Sequence, residues 1–427
     1  MRILLLPGNN SLSHVAKALA LDRAFRARGH ETRVAVSRSR SGFLDRLGLP
    51  HVVAPDIQET DQASRPTTGW FHRGAVAACV RAERELIREF RPDRVLGVFR
   101  FTAKAAAALE GVPFDSLACG CMLEECPDVL GFVLGDAGRA AEAAVLDDFW
   151  RFAGARLSAA LGPAGFGPVR DARAMLRGER TFLWDTPQFQ TMLPFPGARH
   201  VGPIAWDRWP EAGETGAEPA PSGGPCASRK SGVGAGPRRI RAGGRPLAVV
   251  TFGTCAGSPA AAERFARVLT GMGWRVVVAA GGQAGLEGLR LPEGAEPRGF
   301  IAMGRLLADA ALVVCHGGQM TVFEALLRAV PVLVMPFQPE QAQNGLCLER
   351  IGCGRRLLPP VHFLGDSSGY LAALDALSDE DIRRAVGLLT MDPGVRSALA
   401  RMREDLARYR GADAVADLLD SAPCSPA

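Results

Sequence analysis

Residues 300–344, FIAMGRLLADAALVVCHGGQMTVFEALLRAVPVLVMPFQPEQAQN, constrain this chain more than any other stretch. An apolar run at 311–314 precedes His316-Gly317-Gly318, an amphipathic segment covers 321–328, and a second apolar run covers 330–335. The periods read strand, glycine turn, helix, strand and then a polar loop, which is one βαβ unit of a parallel sheet. Two glycines that open a helix let the backbone approach a ligand closely, and the free N–H groups of the first turn favour an anion. His316 and Thr321 add hydrogen-bond donors to that turn. Glu324, three residues after Thr321, can accept from hydroxyl groups. Glu340 and Gln341 emerge at the carboxyl end of the next strand, the edge where such sheets bind ligands. An anion site, a hydroxyl acceptor and a second polar pair on one edge suit a nucleotide sugar.

This arrangement resembles the donor-site signature of the family 1 glycosyltransferases. In that signature a His-Gly-Gly turn is followed by Ser or Thr, by Glu eight residues after the His, and by an acidic-Gln pair at 24 and 25 residues; Thr321, Glu324, Glu340 and Gln341 follow His316 in that way. The resemblance implies the α/β GT-B fold, two Rossmann-like domains facing each other across a cleft. It further implies that His316, Gly317, Gly318, Gln319 and Thr321 meet the diphosphate, Glu324 the ribose, and Glu340 and Gln341 the sugar. Phe300, Ile301 and Met303 fall where bacterial members pack a segment against the base, with Ala302 replacing the usual Pro. Gly253-Thr254, after the strand at 247–252, corresponds to a phosphate-facing loop.

The same resemblance assigns the chemistry to the N-terminal half. His14 precedes His30 by sixteen residues, the spacing at which the family's catalytic His precedes the Gly-His that closes the first helix. His14 is thus the expected general base of a metal-independent, inverting displacement, and a neutral histidine suits that task near pH 7. Family members often carry an Asp that orients this His, but here the position is Val98, followed by Phe99 and Arg100. Three readings stay open: another carboxylate serves His14, the base works unassisted, or the chain is a non-catalytic binding relative. A different GT-B chemistry, such as nucleotide-sugar epimerisation, is a further alternative.

The 427 residues suffice for two sizeable cores. The expected division is an N-terminal acceptor-binding domain at 1–206, a linker at 207–244 and a C-terminal nucleotide-sugar domain at 245–427. The linker rests on the stretch 211–244, which loses periodicity and fills with Gly, Pro, Ser and Ala. The loop after the first strand is not GxGxxG, so a dinucleotide-binding start is disfavoured. Expected elements include strands at 2–6, 32–36, 94–98 and 181–184, and helices at 15–28, 75–89, 140–161 and 169–176. A last helix at 412–419 is a candidate to cross back to the first domain.

A net charge of +5 spread over this length gives no case for nucleic-acid binding. The ten cysteines are dispersed without a CxxC pair, and neither a metal site nor a disulfide framework is indicated. No signal-peptide core and no run of 18 apolar residues is present, which reads as a cytoplasmic protein. The expected partners are a UDP- or dTDP-linked sugar as co-substrate, with no other cofactor, and a small or lipid-like acceptor. Peripheral membrane contact and oligomeric state stay open.

Overall fold

The structure, a computed structural model, describes residues 1–57, 69–206, 244–252, 259–279, 288–299, 301–364 and 368–421. Gly253, Thr254, Phe300 and almost all of the expected linker, 207–243, lie outside the described residues.

Two all-parallel sheets organise the chain. The first holds β1 (Arg2–Pro7), β2 (Glu31–Val36), β3 (Val52–Val53), β4 (Arg94–Val98), β5 (Phe114–Ala118), β6 (Thr181–Leu183) and β7 (Ala198–His200), in the order β3-β2-β1-β4-β5-β6-β7. The second holds β8 (Leu247–Thr251), β9 (Arg275–Ala279), β10 (Ala295–Arg298), β11 (Leu312–Cys315), β12 (Val332–Val334) and β13 (Gly354–Arg356), in the order β10-β9-β8-β11-β12-β13. The two orders are the same over their first six strands. Each reverses direction beside its first strand, between β1 and β4 and between β8 and β11. Ligands bind outside the carboxyl ends of the strands at such reversals. The central strands are apolar throughout, as Ile3 to Leu6 and Leu312 to Cys315 show, because helices cover both faces of the sheet.

The helices of the first half are α1 (Leu12–Arg26), α2 (Arg38–Arg46), α3 (Arg73–Phe90), α4 (Ala103–Leu109) and α5 (Arg139–Leu161). Those of the second are α6 (Pro259–Gly271), α7 (Met303–Leu307), α8 (Gln319–Leu326), α9 (Pro339–Arg350), α10 (Ser368–Ala376), α11 (Asp379–Met391), α12 (Pro393–Leu406) and α13 (Ala412–Asp420). Two sequence expectations change. The segment expected as a helix at 169–176 is a single 3-10 turn, Ala172–Leu176, started by Asp171, whose carboxylate accepts from the Arg173 N–H. Glu340 and Gln341, read as a polar loop, lie in the first turn of α9, since Pro339 is tolerated at a helix start and presets its φ.

The last helix does return to the first half. In α13, Val415, Ala416 and Leu419 are buried in the same apolar cluster as α1 and β1. Arg28 clamps the pair, with Nη1 3.0 Å from Asp413 and Nη2 2.7 Å from Asp417. The crossing is tight: Gly411 adopts φ +52°, and a Cβ there would meet the Pro203 carbonyl at 2.4 Å. No helix among the described residues is long and apolar enough to cross a membrane.

Candidate active site

The carboxyl ends of β1, β11 and β12 open onto one cleft of about 1400 Å³ lined from both halves of the chain. On the C-terminal side, β11 ends in His316 and the two glycines lead into α8. Gly317 needs its φ of +90°, and a Cβ there would strike the Gln341 carbonyl at 2.7 Å; it shapes the turn from behind and does not itself line the cleft. A Cβ at Gly318 would lie 2.3 Å from His316 Nε2, so this glycine makes room for the imidazole. Burial lowers the His316 pKa to about 4, against a backbone hydrogen bond to Thr251. The ring is therefore neutral, and its Nδ1 has no hydrogen-bond partner among the described residues. A neutral ring beside the free N–H groups of α8 makes a donor-rich lip suited to an anion.

His316, Gly318, Gln319, Thr321, Glu324, Glu340 and Gln341 line this cleft together with Ile301 and Met303. Glu324 is engaged: its Oε2 accepts from Arg328 one turn further along α8. The carboxylate is thus held in place by an arginine that the signature did not point to. Gln341 is oriented in a similar way, its Oε1 accepting from the Phe337 N–H at 2.8 Å, which aims its amide nitrogen away from that bond. Burial raises the pKa of Glu340, opposed by Lys17 across the cleft and by the Asn344 side chain.

On the N-terminal side, Ser11 caps α1 and His14 sits in its first turn, buried but lining the cleft. The ring packs against Phe99 at 5.0 Å and Trp184 at 5.7 Å between centroids. Its Nδ1 lies 3.0 Å from Asn10 Oδ1. The described partner of this ring nitrogen is thus a neutral amide. Val98 is fully buried in β4, and Phe99 takes φ +52° to turn its ring onto His14. Arg100 points the other way, into a buried cluster with Asp56 at 2.9 Å and Glu83 at 2.7 Å. Asp56 in turn accepts from the Asn9 backbone N–H at 2.6 Å, which fixes the loop that carries Asn10. Burial lowers the His14 pKa to about 3, with Lys17 and Arg40 adding to the effect and a hydrogen bond to Gly8 opposing it. The ring is therefore neutral near pH 7, because a buried imidazole flanked by cations resists protonation.

Sequence reasoning passed over several residues that reach the cleft. Trp70, Trp150, Trp184 and Phe363 form an aromatic wall, with Phe363 crossing from the C-terminal half to lie 4.7 Å from Phe149. That crossing is held by Glu142, which accepts from the Phe363 N–H at 2.6 Å and pairs with His362 Nδ1 at 2.7 Å. Nothing local in 361–363 announces such a role. Lys17 did carry a signal: it lies three residues after His14, hence on the same helix face, and is one of only three lysines in the chain.

Two parallel sheets of like order, facing across a cleft, define the GT-B fold. The comparisons with known proteins run the same way. The Glycosyltransferase family 28 C-terminal domain matches residues 285–358. Demethyllactenocin mycarosyltransferase of Streptomyces fradiae is 31% identical over 199 residues, 46% of this chain and 40% of that relative's length. The PGL/p-HBAD biosynthesis rhamnosyltransferase of Mycobacterium bovis is 22% identical over 96% of this chain and 85% of its own. Among solved structures, the calicheamicin glycosyltransferase CalG4 superposes with a TM-score of 0.68 at 21% identity, covering 98% of each chain. The spinosyn rhamnosyltransferase SpnG superposes with a TM-score of 0.67 at 18% identity, covering 99% of this chain and 100% of its own.

Proposed function

We propose that this protein transfers a hexose from a UDP- or dTDP-linked donor to a hydroxyl of a small apolar acceptor, with inversion at the anomeric carbon. One observation carries the reading: a single cleft gathers His14 from one half and His316, Thr321, Glu324, Glu340 and Gln341 from the other. In this reaction His14 removes the acceptor proton as the oxygen bonds to the anomeric carbon and the bond to the diphosphate oxygen breaks. The charge that develops on the diphosphate falls at the His316 ring and the start of α8, where fixed donors stabilise it without a divalent ion. The aromatic wall of Trp70, Trp150 and Phe363 favours a flat, apolar acceptor. One of the similar structures is named as a complex with spinosyn aglycone, a small-molecule acceptor.

A second reading, a binding protein without transferase activity, draws on the neutral Asn10 beside His14. One assay separates the two. The protein is incubated with UDP- and dTDP-sugars, with and without a panel of phenols and aliphatic alcohols, and the nucleoside diphosphate released is measured. Acceptor-dependent release supports the transferase. Tight donor binding with no release in any condition overturns it in favour of the binding protein.

A further inference from the structure

Lys17 is the most anomalous side chain in the cleft. It stands one turn beyond His14 on α1, lines the cavity, and is only 3% exposed. Its ammonium rests 4.4 Å from the centre of the Trp184 ring. It makes no hydrogen bond and no direct ion pair among the described residues, although an ammonium has three donors to satisfy. The Trp184 Nε1 next to it also lacks an acceptor among those residues. Facing Lys17 from the opposite half is Glu340, which lines the same cavity at the start of α9. Each is the largest electrostatic support of the other's charge, yet the two do not touch. An ammonium drawn into the cleft wall without a bonded partner is costly, and a neutral side chain of the same length would fill the space without that cost.

We propose that Lys17 reads the donor sugar from the acceptor side of the cleft: its ammonium and the Glu340 carboxylate hold one sugar hydroxyl between them, selecting a hydroxylated sugar over its deoxy counterpart. The proposal rests on the transferase reading above and deepens it by naming the donor class. A hydroxyl is the group that accepts from an ammonium and donates to a carboxylate at once. A sugar carboxylate in that place would be drawn to Lys17 but repelled by Glu340. A deoxy position would leave both charges buried without a polar contact, which is the situation such sites discriminate against most strongly. Burial holds the Lys17 pKa down to about 8, with Glu340 and Cys119 opposing. The group is thus mainly protonated at pH 7, as the donating role requires. Because the two charges come from opposite halves, the hydroxyl is held only where the two halves face each other. Sugar recognition and cleft geometry are therefore one condition.

The test is calorimetric titration of the full chain with UDP, UDP-glucose, its singly deoxygenated counterparts and UDP-glucuronate, with the dTDP series in parallel. The unaltered protein should bind one deoxy counterpart about 10–100-fold more weakly than the glucose donor, the loss of one charge-assisted hydrogen bond. Lys17→Met should reduce that preference to about twofold or less and leave nucleoside diphosphate binding unchanged, since the diphosphate lies at α8. Its melting temperature should hold or rise, because Met buries the same stem without the charge. Glu340→Gln provides a second variant and should lose the same preference. A Lys17→Met protein that still discriminates against the deoxy donor overturns the proposal while the transferase reading stands. Preference for UDP-glucuronate that depends on Lys17 also overturns it, in favour of an anionic sugar. Failure of the unaltered protein to bind any nucleotide sugar overturns this proposal and the transferase reading together.

Discussion

His14 illustrates how one side chain's surroundings set its chemistry. Its folded pKa of about 3 lies below the ordinary 6.5 because burial and two nearby cations penalise the imidazolium. The base form is then already complete at pH 5, so kcat/KM should stay flat from pH 7 down to pH 5 on the acid side. A limb near pH 6.5 in the rate profile would show that another group carries the proton. A weak base whose described partner is the neutral Asn10 amide also favours acceptors that ionise readily. His14→Ala should lower transfer to an aliphatic alcohol by about 10²–10⁴ while sparing an acidic phenol. The same shift has a stability consequence. Between the folded and unfolded pKa values the unfolded chain binds more protons, so stability falls as pH drops below 6.5. His316, lowered to about 4, acts in the same direction. The midpoint of urea unfolding should therefore fall from pH 7 to pH 5, and His14→Leu should flatten part of that slope.

At the scale of elements, the β11–α8 turn and helix α13 make contrasting demands. The turn is required by shape: Gly318→Ala would drive its Cβ to 2.3 Å from the His316 ring, so the imidazole has to move. Diphosphate affinity should drop about tenfold or more through loss of that hydrogen bond, and the melting temperature should change far less. An unaltered Kd for UDP in this variant would show that His316 does not touch the diphosphate. Helix α13 is required by burial. Leu419 is 4% exposed in the cluster that contains α1. Leu419→Ala should cost about 2–5 kcal/mol, read from urea unfolding, since a cavity opens beneath the helix that carries His14 and Lys17.

For the whole molecule the decisive contacts are those that join the two halves. Asp128 lies in the loop after β5 and meets Arg350 of α9 through both carboxylate oxygens, at 2.7 Å each. Gln343 of α9 adds a bond to Asp128 at 2.7 Å and another to the Gly131 N–H at 2.8 Å. Burial alone would raise the Asp128 pKa, but Arg350, with hydrogen bonds from Gln190 and Gln343, outweighs it and holds the carboxyl below its usual value. Its stabilising effect is thus present above the ordinary Asp range and lost as pH falls through the folded value. Arg350 is partly exposed, so Asp128→Ala should cost only about 1–2 kcal/mol. It should nevertheless loosen the cleft: X-ray scattering should give a larger radius of gyration, and affinity for the complete donor should fall more than affinity for UDP. No change in either would mean that the halves are held by α13 and the Glu142 contacts alone.

The alternation of apolar runs with glycine turns determined two parallel sheets, because strand and helix periods are local properties that 5 to 15 residues suffice to express. The gathering of the signature residues on one edge of the second sheet was legible for the same reason. His316, Gly318, Thr321 and Glu324 lie within nine positions and line one cleft. The return of α13 toward α1 was suggested only by the family resemblance. What the tertiary structure alone decided are the pairings across long separations. Lys17 and Glu340 are 323 positions apart, and no local pattern ties an ammonium on one helix to a carboxylate on another. The same holds for Asn10 standing beside His14 where a carboxylate was sought, and for Phe363 reaching the wall of the opposite half. The pKa of His14 belongs to this second group as well, because desolvation depends on every neighbour that excludes water, and those neighbours come from α1, β4, and the segments around Arg40 and Trp184. Sequence thus specified which residues gather at the carboxyl ends of β11 and β12, and packing decided which charges face them across the cleft.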